Sequence, residues 1–382
     1  MTREGDSAMS PPNAPSSPSL PWRIGSSVIM GLTGALSRAF ICGLNKTEVV
    51  GLDKFLDTLE KRKDVEGRER GLITVSNHVS VLDDPLIWGV LPYRYAFDPT
   101  NHRWGLGSYD ICFQNKILSS FFSLGQVLPT HRGAYSIHGG LFQPTIGQVI
   151  RLLSSQPFPK TSTTQSSPPP VTDPFTAGTL TYSTDGRDNF PAPAAYLSRK
   201  HSWVHIFPEG RVHQHPTKAM RYFKWGVSRL ILESEPLPDI IPMFIDGPQE
   251  LMPEAREWPR FIPRAGKNIR VAFGEKIDGE KVFGELREKW KLLVKLQKEA
   301  LVKKGVVMEW DMGDLTEGLK YGNEAVALRK EVTMRIRMEV LNVRRSLGYP
   351  DEDPKRGLAE TWIEEGGKET GKMDDGSYVG ET

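Results

Sequence analysis

Within "VSNHVSVLDDP", residues 75–85, His78 follows a strand-like run and Asp83 stands five positions later. A neutral imidazole is suited to take a proton near pH 7. A carboxylate on its other nitrogen fixes the tautomer and stabilises the imidazolium that forms. Such a pair would let an alcohol attack an acyl ester. The same residues also fit a plain loop in which Asp83 caps a helix ahead of Pro85, and spacing alone favours that plainer reading, since His and Asp at this separation are common by chance. Asp84 is left without a role.

Two further turns carry polar residues. "WVHIFPEGRV", residues 203–212, ends a run of strand character in Glu209, Gly210 and Arg211. There Glu209 is suited to bind a substrate hydroxyl or to orient a basic residue, and Arg211 to meet a phosphate. "LGQVLPTHRGA", residues 124–134, repeats strand, turn and basic residue, with Arg132 beside Gly133 as a phosphate ligand. His201, His205, His213 and His215 suggest a metal site by number only. The first pair falls on the approach to a strand and within it, where i, i+4 separates side chains by about 13 Å, so no metal is assigned.

Positioning these turns requires a layered α/β domain, since short β-rich runs alternate with helical ones. The expected strands are 72–77, 93–97, 125–129, 203–207, 239–245 and 269–273, and the expected helices 83–91, 115–124, 139–154 and 219–234. Together they give an α/β fold with a mixed central sheet flanked by helices, over residues 47–279. The Pro-, Ser- and Thr-rich segment 154–194 reads as a disordered insertion in that domain. Residues 280–347 read as C-terminal helices whose apolar stripes (Phe283 to Leu301, Leu328 to Leu347) pack, although Arg329, Lys330, Arg337, Arg344 and Arg345 would also suit anionic lipid.

Lys and Arg number 49 against 47 Asp and Glu, a net +2 that makes no case for nucleic acid. The charge is uneven: Asp351 to Thr382 carries a net −6, so the first 350 residues carry +8. The tail, 348–382, is expected to be mobile and the body to suit an anionic surface. Cys42 and Cys112 are the two cysteines, too few for a disulfide framework. Residues 1–21 read as disordered. Residues 22–46 place Ile24, Val28, Leu32, Leu36 and Phe40 at helical spacing. Only 14 uncharged residues separate Arg23 from Arg38, short of the roughly 20 a bilayer span needs, so an N-terminal interfacial helix is expected. Packing of that stripe on the domain's own core is the alternative.

In order, H-x-x-x-x-D after a strand, an Arg-Gly turn, and F-P-E-G after another strand resemble the glycerolipid acyltransferase family. "WGLGSYDICFQNKILSSFFSLGQVLPTHRGA" and "MRYFKWGVSRLILESEPLPDIIPMFIDGPQELMP" strengthen the likeness, which runs from about Trp22 to Gly274. The resemblance implies His78 as general base with Asp83 as its partner. It implies transfer of an acyl chain from a phospholipid such as phosphatidylcholine to monolysocardiolipin, remaking cardiolipin on mitochondrial membranes that face the intermembrane space, without coenzyme A or a metal. A donor acyl-CoA with the same base, or a non-catalytic membrane scaffold, stays open. No G-x-S-x-G elbow supports a covalent serine route. Arg221 and Lys224, one turn apart on the expected helix after F-P-E-G, would meet headgroup phosphates or form a solvated face.

Overall fold

The computed structural model describes residues 17–155, 181–305, 312–364 and 370–380. Its strands are β1 (Lys46–Val50), β2 (Leu72–Val75), β3 (Arg103–Ser108), β4 (Val127–Thr130), β5 (Thr181–Tyr182), β6 (Phe190–Pro191), β7 (Trp203–Ile206), β8 (His213–Gln214), β9 (Asp239–Asp246), β10 (Asn268–Phe273), β11 (Gly371–Lys372) and β12 (Tyr378–Val379). The helices are α1 (Leu20–Gly43), α2 (Leu52–Lys61), α3 (Asp83–Trp88), α4 (Tyr93–Ala96), α5 (Tyr109–Cys112), α6 (Lys116–Leu124), α7 (Pro144–Leu153), α8 (Gly226–Glu233), α9 (Pro248–Leu251), α10 (Gly279–Lys303), α11 (Glu317–Tyr321), α12 (Asn323–Ser346) and α13 (Ala359–Glu364).

Seven strands form one mixed sheet in the order β1-β10-β9-β2-β7-β3-β4. From β9 to β4 neighbouring strands are parallel, while β10 is antiparallel to β9 and β1 runs with β10. The carboxyl ends of β9, β2, β7, β3 and β4 therefore share one edge, where open α/β sheets hold their sites. The pleat explains the two cores. Ile73, Val75, Val204, Ile206 and Phe244 point to the face covered by α7, α8, α10 and α12. Leu72, Trp203, Ile241, Met243 and Ile245 point to the face covered by α2 and α3.

Several expectations change. Residues 93–96 are a helical turn, not a strand: Pro92 is the extended N-cap, and only Tyr95 and Ala96 of the four are buried. The strand beside β7 is β3, hidden in "RWGLGS" by two glycines; a Cβ on Gly107 would meet Val127 at 2.7 Å. Helix α8 starts at Gly226 rather than at 219, and 217–224 runs as irregular chain.

Of the segment 154–194, residues 156–180 lie outside the described residues. The rest is not disordered: β5 and β6 pair, Phe190 packs with Phe113 and Val127, and Ala194 joins the main core. The tail also departs from the mobile reading. Strands β11 and β12 extend a small sheet onto β8, and Gly380 N–H donates to the Val212 carbonyl at 2.8 Å.

Arg329, Arg337 and Arg344 of α12 are buried, whereas Lys330 and Arg345 are exposed and pair with Glu360 and Asp351. Arg344 donates to the carbonyls of Thr217 and Lys218, both at 2.9 Å, and Arg337 to those of Met220 (2.9 Å) and Arg221 (3.1 Å). Arg337 also meets Glu352 of the tail at 2.6 Å, with both side chains buried. Helix α12 thus holds the irregular chain 217–221 that α8 does not.

Helix α1 is inverted relative to the packing alternative. Ile24, Val28, Leu32 and Leu36 are 46–71% exposed, while Trp22, Ser26, Met30, Gly31, Ser37 and Ile41 are buried. Small residues let the helix approach closely: a Cβ on Gly31 would overlap the Phe97 ring. Ser26 Oγ donates to the Leu124 carbonyl at 2.7 Å, and Arg38 donates to the carbonyls of Gly89, Val90 and Leu91 at 2.9–3.2 Å. At 24 residues α1 is long and apolar enough to cross a bilayer, but these contacts hold it lengthwise against the body.

Arg337→Ala removes the guanidinium from Glu352 Oε2, leaving that buried carboxylate with Met220 N–H and the more distant Arg344, and takes a donor from two carbonyls. A loss of about 3 kcal/mol or more is expected from urea unfolding, and an unchanged midpoint would show the clamp to be idle.

Candidate active site

His78 lies in the loop leaving β2, beside the loop leaving β7, because Val75 pairs with Ile206 in parallel register. Its ring stacks on Phe207 with centroids 4.3 Å apart and 22° between planes. Asp83, the first residue of α3, is fully buried, and its Oδ2 accepts three N–H groups: His78 Nδ1 at 2.8 Å, Val79 N at 2.6 Å and Ser80 N at 2.8 Å. The helix start and the base-orienting contact are therefore one arrangement, and the cap and catalytic readings do not compete. Burial pushes the Asp83 carboxyl up, opposed by His78 and the two amides. Three N–H donors on a single oxygen match an acceptor carboxylate, which assigns the proton of the pair to Nδ1. Nε2 then faces the partly open side: the His78 side chain is 16% exposed, and Nε2 makes no hydrogen bond among the described residues.

The loop is pinned from three further sides. Asn77 continues β2 with its side-chain amide, donating to the Ile245 carbonyl and accepting from Ile245 N–H, each at 2.9 Å. Glu209 accepts His78 N–H through Oε1 and Arg221 N–H through Oε2, both at 2.9 Å. Its carboxyl group thus binds two backbone segments and is 1% exposed, so the expected contact with a substrate hydroxyl has no open face here. Gln214 donates through Nε2 to the carbonyls of Val79 (2.9 Å) and Met252 (3.1 Å) and accepts Glu254 N–H at 2.9 Å. Asp84 receives its role here. It accepts from Arg103 at both oxygens and from Trp88 Nε1 at 3.1 Å, tying α3 to β3. Burial would raise its carboxyl, but Arg103 overrides this and holds it low.

The remaining expected residues divide by position. Gly210, at φ +61°, closes the turn after β7 with its N–H on the Phe207 carbonyl at 3.0 Å. The Lys224 side chain lies where a Cβ on Gly210 would stand, and Lys224 N–H donates to the Pro208 carbonyl at 2.7 Å. Arg211 is buried, and Arg221 lies over the Tyr222 ring at 4.5 Å. Arg221 and Lys224 are not a helical pair, since both precede α8. Arg132 and Gly133 leave β4, three strands from β2 and so roughly 14 Å away laterally. Arg132 is paired with Asp110 and covers Tyr135 at 4.3 Å, with a buried Nη1 that has no hydrogen-bond partner.

The four histidines converge on no cation. His205 is enclosed, its nitrogens facing Thr74 Oγ1 (2.8 Å) and Ser76 Oγ (3.3 Å), and burial pushes its pKa down to about 3. His201 contacts the Arg68 carbonyl at 2.5 Å. His213 and His215 neighbour each other at 5.9 Å, and no group of three or more His, Cys, Asp or Glu suited to a metal occurs among the described residues.

Residues 55–246 match the family model described as Acyltransferase. The chain is 34% identical to the tafazzin of Saccharomyces cerevisiae over 369 residues, covering 94% of this chain and 88% of that protein. The chain belongs to the tafazzin group of the acyltransferase family. It is 31% identical to the protein named Taffazin of Dictyostelium discoideum (67% of this chain, 71% of that one). It is also 31% identical to an N-acylphosphatidylethanolamine synthase of Arabidopsis thaliana (66% and 69%). The chain is an acyltransferase.

Burial pushes the Glu209 carboxyl up to about 8, against the pull of the two amides and Arg337. The folded protein therefore keeps this proton up to about pH 8, whereas an unfolded chain releases it near 4.5. The stability that Glu209 contributes is complete below that lower value and drains as pH rises through the window. Urea unfolding at pH 5 and pH 8 should show a smaller pH difference for Glu209→Gln than for the parent. An equal difference would place the titration elsewhere.

Proposed function

We propose that His78 is the general base of a coenzyme A-independent transacylase that moves an acyl chain from a phospholipid to a lysophospholipid. The observation that carries this is the Asp83 contact, which occupies Nδ1 and leaves Nε2 as a bare, partly exposed base. Nε2 takes the proton of the lysophospholipid hydroxyl as its oxygen bonds to the ester carbonyl of the donor. The donor's C–O bond breaks, and the imidazolium returns the proton to the departing alkoxide. Acceptor and leaving group are both alcohols of lipids, so the exchange balances without a further reactant.

The acceptor we propose is monolysocardiolipin, with phosphatidylcholine as donor and cardiolipin as product, on mitochondrial membranes facing the intermembrane space. Membership of the tafazzin group supports this choice. Arg132, Gly133, Gly210, Arg211, Arg221 and Lys224 are proposed to serve the headgroups from loops at the same sheet edge. Among them Arg132 keeps one buried nitrogen unpartnered. The exposed stripe of α1 supports binding at the bilayer surface, since burying Ile24, Val28, Leu32 and Leu36 in lipid removes apolar area that the body leaves in water.

Purified protein with phosphatidylcholine and monolysocardiolipin is expected to exchange chains with no coenzyme A present. His78→Ala and Asp83→Asn should each lower that rate by about a hundredfold or more. Unchanged rates would remove the base assignment, and exchange only with acyl-CoA would change the donor. In a separate experiment, Leu32→Asp with Leu36→Asp should cut flotation with vesicles; retained flotation would place the membrane contact elsewhere.

A further inference from the structure

Beyond α1, the loop between α9 and β10 exposes aromatic side chains together with cationic ones. In residues 256–264, "REWPRFIPR", Trp258 is 84% exposed, Phe261 73% and Ile262 54%. Arg256, Arg260, Arg264 and Lys267 border them, against the single acid Glu257 within residues 255–267. A folded body leaves such a cluster in water at a cost, and aromatic tips ringed by arginine match the boundary between headgroups and acyl chains.

The loop is also built. Arg256 donates from Nε to the Arg260 carbonyl at 2.5 Å and from Nη1 to the Pro253 carbonyl at 2.9 Å, and Arg260 Nη2 donates to the Glu254 carbonyl at 3.2 Å. These bonds hold the base of the loop closed, so the apolar tips stand out without a further ordering cost.

Its two ends connect it to the parts that need the membrane. On the outgoing side, Gly266 N–H donates to the Leu44 carbonyl and Lys267 N–H to Asn45 Oδ1, both at 2.9 Å. Leu44 is the C-cap of α1 and is itself exposed, so the apolar stripe of α1 runs on toward the loop. On the incoming side, Met252 and Glu254 are bonded to Gln214, which also holds the Val79 carbonyl, one residue from His78.

We propose that residues 256–264 are a second membrane-inserting element, which docks with α1 on an anionic phospholipid bilayer and holds the His78 edge of the sheet at that surface. The inference rests on the membrane-bound reading above but not on the transacylase chemistry. Trp258 and Phe261 enter the interface as wedges, Ile262 adds apolar area, and Arg264 and Lys267 meet lipid phosphates.

The test uses the full-length protein and vesicles of phosphatidylcholine with or without phosphatidylglycerol. Trp258→Ser combined with Phe261→Ser and Ile262→Ser should weaken binding to the anionic vesicles by about tenfold or more. Arg264→Ala with Lys267→Ala, neither of whose side chains closes the loop, should weaken binding to the anionic vesicles more than binding to pure phosphatidylcholine. Bromine-labelled acyl chains give a readout independent of affinity. Parent tryptophan emission should be quenched on binding, and Trp258→Phe, which keeps an aromatic wedge, should bind as the parent does while losing part of that quenching. Equal vesicle binding by the triple variant, or equal quenching with and without Trp258, would overturn the proposal. So would loss of a dimer on gel filtration without loss of vesicle binding, which would make the face a protein contact. Acyl exchange in detergent micelles reports the chemistry separately: its absence in the parent would remove the transacylase reading and leave the vesicle result standing.

Discussion

A carboxylate removed from water costs several kcal/mol unless hydrogen bonds replace its hydration, and Asp83 meets that demand on one oxygen. Val79 and Ser80 supply amides because the loop from 78 to 82 wraps back over the start of α3, and that wrapping brings the His78 ring onto the same oxygen. The ring orientation is therefore a by-product of solvating a buried anion. Neutralising the carboxylate in place weakens the acceptor shared by the two amides and removes the charge that favours the Nδ1–H tautomer. Everything else at the sheet edge restrains this loop: Asn77 on β9, Glu209 from the β7 turn and Gln214 from β8.

A longer chain of contacts reaches the site from the C-terminal third. Glu352 pairs with Arg337, Arg337 holds the carbonyls of Met220 and Arg221, and Arg221 N–H completes the second acceptor of Glu209. Residues more than 100 positions away in sequence thus set the turn that grips His78 N–H. The helical extension serves as a buttress, and its buried Arg337 and Arg344 satisfy backbone carbonyls of the chain they hold.

What could be read in advance followed distance along the chain. His78 and Asp83 lie within one loop, so their spacing permitted the contact and the order of motifs along the chain favoured it, and the strands 72–75, 203–206 and 239–246 announced themselves through continuous apolar runs. The contacts that fix the loop span 131 or more positions, and neither Asn77 nor Gln214 belongs to a local pattern that marks it. Asp84 was unreadable for a different reason: Arg103, only 19 positions on, belongs to a strand whose glycines conceal its β character. The apolar period of α1 is the same whether the stripe meets a core or a bilayer. Only the packing of Ser26, Gly31 and Ser37 against α6, α4 and α3 shows which face is inward.

The central claim is that buried Asp83 holds His78 as the Nδ1–H tautomer, with Nε2 free to accept a proton. The most direct measurement is 15N NMR of protein labelled at histidine, with the His78 signals assigned by substitution. At neutral pH the account predicts a protonated Nδ1 and a bare Nε2 in the parent, and loss of that preference in Asp83→Asn. A parent ring carrying its proton on Nε2 would contradict it.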